Sequence, residues 1–133
     1  MSEGLKKIIS IDKFIDELKI KIPPKSEFLK LSQTFLIDPR QPEEAKTNFE
    51  RGMLLYGLIA KNRPKTVLEI GTAEGFSALC MAWSMIENDI QGKIFTIDPK
   101  KHDEKFDRVI FTKDKKIIKE KLSTKDIWQK YAK

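Results

Sequence analysis

Apolar positions change period several times along the chain. Ile8, Ile11, Phe14, Ile15 and Leu18 recur at helical spacing, and Ser10 is suited to cap that helix. Pro23-Pro24 ends it, because proline donates no helix hydrogen bond and restricts the residue before it. Residues 25–41 read as a connecting stretch with one short turn of helix near 27–33. Pro42-Glu43-Glu44 reads as the next helix start, with proline in the first turn and carboxylates at the positive end of the dipole. Ala45, Phe49, Met53, Tyr56 and Ala60 give that helix an apolar stripe as far as Arg63-Pro64. Thr66–Ile70 is then a short run with β-branched residues, leading into Gly71 and Gly75. From Phe76 the helical period returns, with Phe76, Leu79, Cys80, Trp83 and Ile86 on one face. Gln91-Gly92 turns the chain into a second strand, Lys93–Asp98. This β-α-β order predicts parallel pairing through a right-handed crossover. Further on, Arg108–Thr112 reads as a third strand, 114–122 as helix, and Ser123-Thr124-Lys125-Asp126 as a capping box before a short helix carrying Ile127, Trp128 and Tyr131. The expected architecture is α/β, with about three parallel strands and flanking helices. An N-terminal helical segment and linker occupies residues 1–41, and the α/β portion residues 42–133.

Composition narrows the class. With 133 residues, 40% of them hydrophobic, the chain has the size and the apolar content of one modest core. Its apolar runs fall short of a bilayer span, and Met1–Ser10 lacks the apolar centre of a secretory signal. Cys80 is the only cysteine and His102 the only histidine, which excludes an intrachain disulfide, a cysteine zinc site and a histidine cluster. The expectation is a soluble, cytoplasmic domain. Residues 1–99 balance 14 basic against 14 acidic side chains, whereas 100–133 hold 12 basic and 6 acidic, so the net +6 lies in the last quarter. Eleven of those 12 are lysine, and no nucleic-acid module accompanies them. They read as a solvated face, and neither nucleic acid nor membrane is expected as a partner.

The chemistry concentrates in Glu69-Ile70-Gly71-Thr72-Ala73-Glu74-Gly75-Phe76-Ser77-Ala78. Gly71 lies where a strand turns sharply and a ligand can approach the backbone; a β-carbon there would obstruct both. Gly75 opens the helix and is expected to let it pack close to the strand. Ala73 keeps the loop low. The amides at the helix start can bind a carboxylate or phosphate. Asp98, ending the next strand, should share the rim and accept hydrogen bonds from ribose hydroxyls. A P-loop needs Gly-Lys-Ser/Thr, and Gly75-Phe76-Ser77 has no lysine. A dinucleotide loop needs G-x-G-x-x-G, whereas the spacing here is G-x-A-x-G. Glu69 beside the loop suits a cationic ligand better than a pyrophosphate.

Val67–Ala78 (VLEIGTAEGFSA) resembles motif I of class I S-adenosylmethionine-dependent methyltransferases, closest to the catechol and caffeoyl-CoA O-methyltransferase-like branch. Lys93–Asp98 is similar to that family's second motif, and Glu50-Arg51-Gly52-Met53-Leu54-Leu55 to the E-x-G-x-x-L segment before motif I. The resemblance runs from Phe49 to Asp98. It implies a Rossmann-like fold, S-adenosylmethionine as cofactor and a small-molecule methyl acceptor. By position it places Glu69 near the methionine amino group. Gly71, Thr72, Ala73, Gly75 and Phe76 fall along the loop at the methionine end and the ribose. Ser77 is assigned to the methionine carboxylate, Asp98 to the ribose diol and Pro99 to the adenine border. No metal ligands or catalytic base are assigned.

The family's sheet is longer than the three strands legible here, and no D-x-x-F-I-D-G-like segment follows Thr112. The chain is therefore expected to be the cofactor-binding N-terminal part of such an enzyme, truncated and without a self-contained transfer site, or a reduced relative that completes its sheet with a second copy. Two other readings stay open. One is a nucleotide-binding oxidoreductase domain using NAD. The other is a non-enzymatic module whose basic C-terminal third binds an acidic partner or nucleic acid.

Overall fold

The computed structural model describes residues 9–32, 48–111 and 117–131, and of residues 108–111, 117, 118, 130 and 131 the backbone only. Three helices come first. Helix α1 (Ile11–Leu18) is capped by Ser10, whose hydroxyl accepts from the Lys13 amide at 3.2 Å. It ends at Lys19 in the left-handed conformation. Ile8 lies outside the described residues. Directly after the proline pair, α2 (Lys25–Ser32) makes two full turns where a single turn is predicted, and it carries Phe28 into complete burial. Its moderate helix propensity is outweighed by packing of that ring. Helix α3 (Phe49–Asn62) begins at Asn48, whose side chain accepts from the Arg51 amide at 3.0 Å. The described helix is thus shorter than the periodicity predicts; Pro42, Glu43, Glu44 and Ala45 lie outside the described residues. Its stripe holds, with Met53, Tyr56 and Ala60 buried.

Strand β1 (Thr66–Ile70), helix α4 (Phe76–Glu87) and strand β2 (Lys93–Ile97) follow as predicted. The strands pair in parallel from Thr66–Lys93 to Ile70–Ile97. The Lys93 amide to the Lys65 carbonyl (3.0 Å) and the Gly71 amide to the Ile97 carbonyl (2.8 Å) extend the ladder at its two ends. Helices α3 and α4 pack closely because Gly52 lacks a side chain: a β-carbon there would lie 2.7 Å from Phe76 Cζ and 2.8 Å from Cys80 Sγ. One core cluster joins Ile15, Phe28, Met53, Tyr56, Phe76 and Cys80; Phe28, Tyr56 and Trp83 form an aromatic group with ring centroids 4.9–5.7 Å apart. A second cluster, Ile59, Met81, Met85 and Ile90, receives Val67 and Ile94 from one sheet face. The other face is open, with Leu68, Ile70, Phe95 and Ile97 all more than half exposed.

The C-terminal part departs from expectation. Strand β3 (Lys105–Phe111) includes the described part of the predicted third strand, but it pairs antiparallel with β4 (Ile117–Ser123) in a separate hairpin. The parallel sheet therefore has two described strands instead of about three. Residues 117–122, predicted helical, are strand. The register sets Phe111 opposite Ile117, Ile110 opposite Ile118, Phe106 opposite Leu122 and Asp107 opposite Lys121. Cross-strand pairing of this kind outweighs the helix propensity of a Lys-rich segment. Residues 112–116 lie outside the described residues. The capping box does form before α5 (Thr124–Tyr131). The Asp126 amide donates to Ser123 Oγ at 3.0 Å, and the Ser123 amide donates to Asp126 Oδ2 at 2.9 Å. Ile127 is buried in the first core cluster with Leu122.

Candidate functional site

The turn between β1 and α4 alternates in backbone hand. Gly71 (φ +89°), Ala73 (φ +45°) and Gly75 (φ +88°) all occupy positive φ. Around Gly71 a β-carbon would meet nothing within 4 Å among the described residues, so the conformation demands glycine while the space beside it stays open. Ala73 is the one non-glycine residue in this turn at positive φ, where an L-residue is strained by about 1–2 kcal/mol. Its amide is held at 2.9 Å by Asp98 Oδ2, across the crevice from the end of β2. Asp98 Oδ1 accepts from the Lys100 amide, also at 2.9 Å. These backbone bonds, Lys100 first and then Ala73, hold the Asp98 carboxyl below its ordinary range, with lesser help from the charges of His102 and Lys100. The carboxylate stays ionised at neutral pH, with further lone pairs to offer a hydroxyl.

Behind the turn lies a chain of side chains in which one member escapes the sequence reading. Glu69 and Thr96 are partners in the strand register, and Thr96 donates to Glu69 Oε2 at 2.8 Å. Thr96 also shares a short hydrogen bond with the buried Thr72 hydroxyl. Burial raises the Glu69 pKa above its ordinary value, opposed by the Thr96 hydrogen bond and the Arg51 charge. Thr72 thus turns its side chain inward, onto Thr96. Thr96 could have been found from the alternation of β2, which directs it to the same face as Ile94, where a polar residue needs a partner.

The remaining candidates divide. Phe76 is buried and packs on Gly52, so its ring serves the α3–α4 contact and not the crevice. Ser77 is half-buried in the first turn of α4, where Gly75 is the N-cap and gives no side-chain cap. Pro99 is exposed beside Asp98. What Gly75 accommodates is not a strand but Trp128 of α5. A β-carbon there would come within 2.6 Å of the indole Cε2 and 2.8 Å of Cζ2, and closer still to Nε1. His102 lies against the same indole with ring centroids 5.3 Å apart.

Ala73, Asp98, Pro99, His102, Phe106 and Thr124 line a cavity of about 300 Å³ at the carboxyl ends of the parallel strands. That is the crevice position expected for ligands of open α/β sheets, at the small end of the ligand-pocket range of about 300–1,000 Å³. A larger groove of about 480 Å³ lies at the far end of α4, along Met85, Ile86, Ile90 and Ile94, remote from the glycine turn. The smaller cavity has the chemistry: the ionised Asp98 carboxylate beside Ala73 of the glycine turn. Among the described residues, no helix is long and apolar enough to cross a membrane, and no three His, Cys, Asp or Glu side chains gather in a metal-binding arrangement.

A family model described as O-methyltransferase matches residues 25–127, most of the chain and all of the glycine turn and crevice. No curated protein and no solved structure matches the sequence.

Proposed function

The chain belongs to the O-methyltransferase family, and from that premise we propose that it binds S-adenosylmethionine in the crevice between the glycine turn and Asp98, in the service of methyl transfer to a small-molecule acceptor. The observation that carries this reading is the Asp98–Ala73 hydrogen bond of 2.9 Å, which ties the strand-end carboxylate to the apex of a turn whose neighbour Gly71 is open. That arrangement puts an ionised carboxylate and a bare backbone on one rim, which supports the reading.

S-adenosylmethionine would supply an activated sulfonium methyl group, so the protein's share is binding and alignment. Asp98, ionised and fixed by two amides, would accept from the ribose hydroxyls through its remaining lone pairs. Gly71 and the backbone of Thr72 and Ala73 would carry the methionine end, with Ser77 at the α4 N-terminus set toward its carboxylate. Glu69, steadied by Thr96, would face the positive charge of the amino group, directly or through water. Pro99 would border the adenine. The NAD alternative has no third glycine to support it, and no recognition module supports the nucleic-acid alternative.

The test is calorimetric titration of the full chain with S-adenosylhomocysteine, with NADH as the comparison. Saturable binding of the first alone, lost in Asp98→Ala, is expected. Binding of NADH alone, or no binding of S-adenosylhomocysteine by folded wild-type and Trp128→Ala chains, would refute the reading.

A further inference from the structure

We infer that Trp128 is a built-in competitor for the glycine turn, a side chain that must swing away before a ligand can use the Gly75 side of the crevice. The inference rests on the reading of that turn as a cofactor surface. Helix α5 is fixed at its start by the reciprocal Ser123–Asp126 cap, and the Lys125 amide bonds the His102 carbonyl at 3.0 Å. The next inward residue, Ile127, is buried in the core and sets the rotation of the helix. Trp128 follows it and lays the edge of its indole on Gly75, where the only space is that of the missing β-carbon. His102 backs the ring on another side.

The contact lacks a polar anchor. The indole Nε1 is buried and has no hydrogen-bond partner among the described residues, so the ring is held by packing while its own N–H is penalised. Rotation of the ring out of this seat would let the N–H reach water while Ile127 and the cap hold α5 in place. The open cavity beside Ala73 and Asp98 is walled by Thr124 of the same helix and by His102, which touches the indole. One half of the crevice is thus open and the other is filled by a side chain that gains a hydrogen bond on leaving. Such a ring lowers apparent affinity by the fraction of chains in which the seat is empty.

The test compares S-adenosylhomocysteine binding to the full wild-type chain and to Trp128→Ala, each checked for fold by circular dichroism. If the seat is empty in about a tenth of wild-type chains, the variant binds about tenfold tighter. Saturable binding by the variant where the wild type gives no heat is an extreme form of the same result. Equal or weaker binding by a folded variant, with a wild type that binds, would overturn the competitor role and leave the cofactor reading standing. No binding by either folded chain would overturn both. Should Trp128→Ala fail to fold, wild-type chain labelled with 5-fluorotryptophan decides, its Trp128 resonance identified from the Trp128→Phe spectrum. Movement of that resonance to a solvent-exposed position on saturation supports the competitor role. An unmoved resonance in a chain that calorimetry shows to be saturated overturns the competitor role alone, and absence of saturable heat in both the folded wild-type and Trp128→Phe chains overturns both readings.

Discussion

Replacing Gly75 and Gly71 by alanine separates two costs that glycine avoids. Both residues hold φ near +90°, so each alanine meets the left-handed penalty of about 1–2 kcal/mol. At Gly71 nothing among the described residues lies within 4 Å of the new β-carbon, and that penalty is the whole effect. At Gly75 the new methyl overlaps three atoms of the Trp128 indole, adding an overpacking cost of about 1–3 kcal/mol. Gly75→Ala should therefore lose roughly 2–5 kcal/mol, a large fraction of a stability of about 5–15 kcal/mol. The assay is urea denaturation at fixed pH, with the slope checked for constancy so that midpoint shifts report stability. A double-mutant cycle isolates the packing part. In the Trp128→Ala background, Gly75→Ala should cost no more than Gly71→Ala does, giving a coupling of about 1–3 kcal/mol. Equal losses at the two glycines in the wild-type background, or additivity of Gly75→Ala with Trp128→Ala, would refute the contact.

Other outcomes follow from the site and the core. Thr96→Val removes the hydrogen bond to the Glu69 carboxylate and should cost about 1 kcal/mol at neutral pH, the low end for a charged acceptor because Glu69 is partly solvated. The raised Glu69 pKa means that its contribution is fully present below 4.5, its ordinary value, and is lost as pH rises through the folded value. The Thr96→Val penalty should grow between pH 4 and pH 7, and a pH-independent penalty in denaturation would contradict the network. Asp98 behaves in the opposite sense: its lowered pKa gives stability above 3.8 that is lost as pH falls through the folded value. A carbon-detected NMR titration should place Asp98 below 3.8, and a value at or above it would deny the two amide bonds. Cys80 is fully buried, and burial pushes its thiol up to about 12. It should react with a disulfide reagent only as fast as the chain unfolds, and prompt labelling of the native chain would show the α3–α4 contact to be open.

The legible parts of this fold are those whose cause is local. The β1–α4–β2 unit follows from a change of period, a glycine at each end of the turn and an aspartate at the next strand end, all within one stretch of chain. The cap of α5 is equally local, since Ser123 and Asp126 satisfy each other's amides. What escaped is set by partners distant in sequence. Residues 117–122 read as helix because their lysines and leucine suit one, and they become strand through pairing with β3. Thr96 reads as one polar residue in a strand until the parallel register sets it beside Glu69. The contact of Gly75 with Trp128 escaped for the same reason, the two lying 53 positions apart. The open sheet face belongs to the legible class, since Leu68, Ile70, Phe95 and Ile97 alternate with inward residues, and parallel sheets are normally covered on both sides. The same alternation that fixes the two-strand register therefore collects those four apolar side chains on one exposed face, while Val67 and Ile94 point to the core.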